Sequence, residues 1–196
     1  EILSVHVSAK LSGTINSAEQ AIKAIDTNKI KIIDTRSASM AQGLVAMSAA
    51  RAIKNVKSLD ELADIAESTA KKTTVFVAMD TMEFLKRGGR IGKAKAMLGS
   101  ILNIKPIITT NDGEIVPHSR ARTIKKAIST MINDMGEKDQ IIEVAVLHST
   151  TPDLAKDVMN QINAQNLNNA GTITEIGPVV GTHAGPGCLA IAFTTK

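Results

Sequence analysis

The segment TVFVAMDTMEFLKRGGRIG, residues 74–92, separates two patterns in the chain. It opens on a strand-like run, Thr74 to Ala78, and passes into the Gly- and Arg-rich stretch Lys86-Arg87-Gly88-Gly89-Arg90-Ile91-Gly92. Upstream of it, short apolar runs alternate with amphipathic ones, as in a parallel sheet covered by helices. Ile2 to Val7 reads as a strand, and Ile15, Ala18, Ile22 and Ile25 fall on one helical face after it. Lys31 to Asp34 is a second short strand, followed by a helix with Ala41, Leu44, Val45, Ser48 and Ala52 on one side. Ser58-Leu59-Asp60-Glu61 has capping-box spacing and predicts another helix start. Thr74 to Ala78 then reads as the third strand of this first layer.

Downstream of residue 80 the pattern changes. Lys93 to Leu102 reads as a short basic helix. Ile104 to Thr110 is expected to pair with Glu114 to His118 across Asn111-Asp112-Gly113, because Asp-Gly accepts the positive φ angles of a tight hairpin turn. Ile124, Ala127, Ile128, Met131, Ile132 and Met135 mark an amphipathic helix, Ile141 to Leu147 a strand and Pro152 to Ile162 another helix. Thr172 to Ile176 is strand-like, Gly177 to Gly187 reads as a Gly-rich loop, and Cys188 to Phe193 is a last apolar strand. The expected fold class is α/β in two domains, with residues 1–79 in a parallel-sheet α/β domain and residues 80–196 in an α+β domain. Glu1 leads straight into a strand without a start methionine, so the sequence is expected to begin inside the first domain.

A chain of 196 residues can bury a core without staples. The single cysteine, Cys188, cannot form an internal disulfide, which fits a reducing, cytoplasmic setting. Its plainest role is that of a small buried apolar side chain. No stretch approaches the roughly 18 to 20 apolar residues of a membrane span, so a soluble protein is expected. The balance of 23 Lys and Arg against 19 Asp and Glu is mildly basic and says little about nucleic acid. Phe76, Phe84 and Phe193 are the only large aromatic residues, which leaves few platforms for stacking bases. Eight methionines suit an adaptable apolar ligand and an ordinary aliphatic core equally well.

Several segments carry chemistry by residue type. Ser12-Gly13-Thr14 sits where the first strand gives way to a helix, a place where free amides and a hydroxyl favour an anion. Ser12 also fits a plain helix cap. Gly181-Thr182-His183-Ala184-Gly185-Pro186-Gly187 lets a backbone approach a ligand closely, and His183 can donate to an anion or serve as a structural hydrogen-bonder. His6, His118 and His148 show no metal-ligand spacing, and no metal is expected. Arg87 and Arg90, with Lys93 and Lys95, form the densest basic patch, either a solvated face or a docking surface. Gly92-Lys93 is followed by Ala94, so the patch does not meet the P-loop pattern. Ser12, His183 and Asp34 sketch a weak triad, without Gly-x-Ser-x-Gly.

Taken together, Lys10 to Thr14, Asp34 to Met40, Leu85 to Lys95 and Ile176 to Gly187 resemble, in order, the motifs of the DegV family of fatty-acid-binding proteins. The resemblance spans nearly the whole chain. It implies a two-domain fold with a long-chain fatty acid between the domains, and a carrier that is not itself an enzyme. The bound lipid would be its only small-molecule ligand, with no cofactor. By the same resemblance Ser12, Gly13, Thr14 and His183 hold the carboxylate. Arg87 and Arg90 belong to a surface for phosphoryl transfer or for docking an ATP-dependent fatty acid kinase subunit, which makes acyl phosphate for phospholipid metabolism. No nucleic-acid partner is implied, and transient membrane contact is compatible with the role. The family's Thr-Ser-x-Pro-Ser segment lies before these blocks and is not among the residues here. A stand-alone hydrolase or phosphotransferase, and a nucleic-acid-associated regulator using Arg87 to Lys95, are the rival readings.

Overall fold

The computed structural model describes residues 1–98, 104–165 and 171–196, and they form two compact units. The first comprises Glu1–Thr73 together with Asp112–Glu114, the second the remaining described residues from Thr74 onward.

In the first unit, strand β1 (Ile2–His6) leads to helix α1 (Thr14–Ile25), strand β2 (Ile30–Asp34), helix α2 (Met40–Ala52) and helix α3 (Leu59–Lys72). β1 and β2 pair in parallel from Ile2 opposite Ile30 to His6 opposite Asp34. Two parallel strands need a crossover, and α1 supplies it. Ile33 of β2 is buried with Val45 and Ala49 of α2 and Leu62, Ala63 and Ala66 of α3, with Leu3 and Val5 of β1 packed on this cluster. Each large side chain buried there contributes on the order of 1.5–3 kcal/mol. The α1 stripe behaves unevenly: Ile15 is buried, whereas Ile25, in the last turn, is exposed. The α3 start forms as the capping pattern predicts, with Ser58 Oγ accepting from the Glu61 amide at 3.2 Å. The Glu61 carboxylate reaches back one residue further than the simplest box, to the Lys57 amide at 2.7 Å.

The second unit is built on a six-stranded sheet of order β5-β4-β3-β8-β6-β7. Its strands are β3 (Thr73–Ala78), β4 (Lys105–Asn111), β5 (Glu114–Ala121), β6 (Ile141–His148), β7 (Thr172–Glu175) and β8 (Leu189–Thr195). Helices α4 (Glu83–Arg87), α5 (Ile124–Asn133), α6 (Pro152–Asn163) and α7 (Pro178–Ala184) complete it. β3 runs antiparallel to β4, β6 antiparallel to β8 and parallel to β7. Such a mixed sheet is the α+β layer expected from the sequence. Alternate residues of three central strands, Ala78, Val144, Val146, Leu189 and Ile191 among them, share one core with Ile128 and Met131 of α5 and Val158 and Ile162 of α6. Period-2 strands thus meet period-3.6 helices on one face.

Three elements differ from the sequence reading. Thr74 to Ala78 does not extend the parallel sheet of the first unit: β3 pairs Phe76 with Thr109 and Ala78 with Ile107. β3 accordingly groups with the second compact unit, which takes up the chain from Thr74. An apolar run of this length satisfies either sheet, and only the pairing partner decides. The basic stretch after Gly92 is a 3-10 helix, Gly92–Met97, and the remainder of the helix expected to Leu102 lies mostly outside the described residues. Finally, the loop expected over Gly177 to Gly187 contains helix α7. Pro178 sits at its first turn, where a missing N–H costs nothing, and the Gly185 amide closes it onto Gly181 O at 2.8 Å. Among the described residues no helix is long and apolar enough to cross a membrane.

Candidate functional site

In the first unit the chemistry gathers at the carboxyl ends of β1 and β2, where parallel α/β sheets commonly bind ligands. Ser8 is fully buried, and its Oγ donates to Gly113 O at 2.7 Å and accepts from the Lys10 amide at 3.2 Å. The amides of Leu11 and Ser12 both turn back onto Ser8 O, at 2.9 and 3.0 Å. This tight turn delivers Ser12, Gly13 and Thr14 to the start of α1. Gly13, not Ser12, is the cap residue, and no side chain caps the helix. Ser12 Oγ lies 3.4 Å from the Thr14 amide, a long and weak contact. The simple capping role for Ser12 is thus poorly filled, and Gly13 and Thr14 are exposed.

Asp34 is engaged locally. Its carboxylate accepts from the Arg36 amide at 2.8 Å and from the Ala9 amide at 3.4 Å, tying the loop after β2 to the loop after β1. Asp112 then takes Lys10 Nζ at 2.8 Å and Arg36 Nη1 at 3.0 Å. Asp34 acts here as a loop fastener, and the triad sketched with it draws no support. A cleft of about 490 Å³ in this unit is lined by Leu3, Val5, Ala49, Ile53, Val56 and Leu62 among others, and by none of Ser12, Gly13 and Thr14.

In the second unit two motifs that are remote in sequence come together. The segment from Asp80 through α4 to Gly88 lies along α7 and the Gly185–Gly187 turn. A Cβ placed on Gly187 would lie 2.7 Å from Asp80 Oδ2, one on Gly185 2.3 Å from Phe84 Cδ2, and one on Gly88 2.0 Å from His183 Nδ1. Contacts recur every four residues on one strip and run the opposite way on the other. His183 therefore sits in the last turn of a short helix, not in an open loop, and its Nδ1 is buried without a hydrogen-bond partner among the described residues.

Ser149, which the sequence reading passed over, clamps the far side of this turn. Its Oγ donates to Gly185 O at 2.6 Å and accepts from the Cys188 amide at 3.1 Å, while its amide reaches Cys188 O at 2.9 Å. A serine in His148-Ser149-Thr150-Thr151 carries no sequence signal of its own, since only the fold brings it to residue 185. Nδ1 of His148 and Oγ1 of Thr151 are also buried without partners among the described residues.

The Arg87-Gly88-Gly89-Arg90 segment ends α4 in a Schellman motif. The Arg90 amide bonds Leu85 O at 3.0 Å and the Gly89 amide bonds Lys86 O at 3.1 Å, with Gly89 at φ +68° as the left-handed residue this closure requires. Arg90 Nη1 returns to Gly88 O at 2.8 Å, and Arg87 Nε pairs with Glu83 at 2.9 Å. Lys86, Arg87, Arg90, Lys93 and Lys95 are all exposed. Lys105 pairs with Asp80 at 2.6 Å.

Cys188 is fully buried, and burial together with the nearby Asp80 carboxylate pushes its thiol from the usual 9.0 up to about 12. A thiol held protonated is a poor nucleophile. Native protein at pH 8 is accordingly expected to resist a thiol reagent such as Ellman's, reacting only after unfolding. The sign of the linkage is fixed by the raised value. Between about pH 9 and 12 the unfolded chain loses this proton first, so stability falls as pH rises through that window. Rapid labelling of native protein would contradict the burial of this group. Among the described residues no cluster of His, Cys, Asp and Glu has the arrangement of a metal site.

The sequence profile of the family described as "Uncharacterised protein, DegV family" matches residues 1–196. The chain belongs to the DegV family. A DegV domain-containing protein of Clostridium acetobutylicum is 37% identical over 207 residues, spanning all of this chain and 71% of that protein. A Thermus thermophilus DegV family protein, whose structure is described as showing fatty acid binding, superposes with a TM-score of 0.92 at 32% identity, over 99% of this chain and 70% of that one. Bacillus subtilis DegV, described as a fatty acid binding protein, gives 0.86 at 31% identity over 100% of this chain and 71% of that one. The two-sheet α/β architecture of this DegV chain, parallel in the smaller sheet and mixed in the larger, is thus that of its family.

Proposed function

We propose that this chain binds a long-chain fatty acid, with Ser12, Gly13 and Thr14 of the first unit and His183 of the second as donors to its carboxylate, and presents that carboxylate to an ATP-dependent kinase subunit in the cytoplasm. The observation that carries the reading is the likeness along almost its entire length, at 32% identity and a TM-score of 0.92, to a protein whose structure is described as showing fatty acid binding. Local geometry agrees with it. Ser12 has a hydroxyl whose one contact among the described residues is long, and His183 brings an imidazole to a turn otherwise made of small residues. Affinity on this reading comes chiefly from the tail, at about 0.8 kcal/mol per buried methylene, while the polar head sets orientation. The exposed cations from Lys86 to Lys95 suit an acidic partner surface or a phosphate in transit, and acyl phosphate made there would feed phospholipid synthesis. The chain then needs no catalytic group or cofactor of its own, and a transient encounter with a membrane is the simplest source of ligand.

Organic extraction of the purified protein followed by mass spectrometry tests the binding. A fatty acid in near-stoichiometric amount is expected, and added oleate should raise the melting temperature as mass action requires. Repeated extraction without lipid, together with no thermal shift on adding oleate, would overturn the reading.

A further inference from the structure

We propose that Gly88 is a positioning residue for His183, its lack of a side chain being required by the imidazole and not by the backbone. The two adjacent glycines of the Arg87–Arg90 turn look alike in sequence but differ in kind. Gly89 has φ +68°, where a side chain is strained, and open space around the position of its missing Cβ. Gly88 has φ −75° and ψ −4°, ordinary right-handed helical backbone that alanine adopts without cost. What bars alanine there is the ring: a Cβ would stand 2.0 Å from His183 Nδ1, 2.6 Å from Cε1 and 3.2 Å from Cγ. Backbone geometry permits a side chain at this position, and the atoms nearest a Cβ there all belong to the imidazole.

The seat fixes which nitrogen can serve a ligand. Nδ1 faces Gly88, is buried and has no hydrogen-bond partner among the described residues. A neutral imidazole that donates from Nε2 leaves Nδ1 as a bare acceptor, so the buried edge is the one a donor to carboxylate can give up. Asp80 against Gly187 and Phe84 against Gly185 hold the same strip in register on either side of the α7 end, and Ser149 ties Gly185 O and the Cys188 amide from the other flank. His183 of α7 is thus seated against Gly88, the C-cap of the helix that carries Arg87, so the candidate carboxylate donor packs directly against the basic turn. The seat stands on geometry alone. Its consequence for binding rests on the carrier reading above.

The test is Gly88→Ala in the full chain, alone and combined with His183→Ala, with two readouts. Long-range proton–nitrogen spectra of the imidazoles in ligand-free protein should show the His183 signals displaced in Gly88→Ala, while those of His6, His118 and His148 stay in place. Assignment comes from the signals missing in His183→Ala. Oleate titration should show affinity down about tenfold or more in Gly88→Ala, with no further loss when the same change is made in the His183→Ala background. Unmoved His183 signals, or the same fold-loss with and without His183, overturn the proposal. If Gly88→Ala alone does not fold, removal of the ring should restore folding in the double variant, and failure to do so also overturns it. A wild-type protein that takes up no oleate defeats the carrier reading, and the ring signals still judge the seat.

Discussion

His183→Ala is expected to weaken oleate binding by a factor of about 10 to 150, the equivalent of one donor lost to a partly buried anion at 1.5–3 kcal/mol. Ser12→Ala should fall in the same range. Neither change should unfold the protein. Among the described residues Ser12 Oγ makes only a 3.4 Å contact, to the Thr14 amide, and Gly13 holds the cap position without it. Nδ1 of His183 has no hydrogen bond to lose among the described residues, and α7 is closed through backbone bonds that alanine keeps. Calorimetric titration beside a thermal melt separates the two effects. On the proposed reading both residues address the same carboxylate, so the double variant should lose less than the sum of the singles. Undiminished oleate affinity in both single variants would return Ser12 and His183 to structural roles.

Much of this architecture is legible before any coordinates, and the failures have specific causes. Pro152 opens α6 where the periodic stripe of Ala155, Val158, Met159 and Ile162 begins, so start signal and period agree. The hairpin is equally plain: Asp112 and Gly113 take φ values of +47° and +79°, the pair of positive angles that Asp-Gly advertises. α7 is hidden because glycines at 177, 181, 185 and 187 crowd the segment, although only Gly181 lies inside the helix. Gly177-Pro178 at the front and Gly185 behind are nonetheless the start and stop signals of a helix. Strand β3 could be recognised as a strand but not assigned to a sheet, since pairing is a long-range fact that periodicity does not carry. The site divides in the same way. Ser12, His183 and the arginine turn announce themselves by residue type, whereas Ser8, Ser149 and the seat at Gly88 exist only through partners 105, 36 and 95 residues away. Local chemistry is written locally, but the packing that aims it is not.

The larger loss is expected for charge reversal in the basic turn, where two roles compete. Arg87→Glu and Arg90→Glu should each leave oleate affinity within about twofold and reduce acyl-phosphate formation with ATP and the cognate kinase by about a hundredfold or more, as reversal of an interfacial charge costs several kcal/mol. The geometry favours this split. Arg87 is an exposed side chain whose only ion pair among the described residues is with Glu83 one turn away, a surface contact worth at most about 0.5 kcal/mol that a stronger anion displaces. Arg90 holds its place in the Schellman closure through its amide, which glutamate also supplies, so its guanidinium bond to Gly88 O can be lost without opening the turn. Both variants should therefore fold. If a guanidinium instead buttresses the carboxylate, oleate affinity falls together with phosphorylation, because a charge-assisted bidentate contact is among the stronger polar interactions available. A reconstituted phosphorylation run beside a lipid titration reads both quantities on the same preparation. Wild-type phosphorylation in both reversal variants would remove the turn from the functional surface, leaving its glycine at 88 to serve His183 alone.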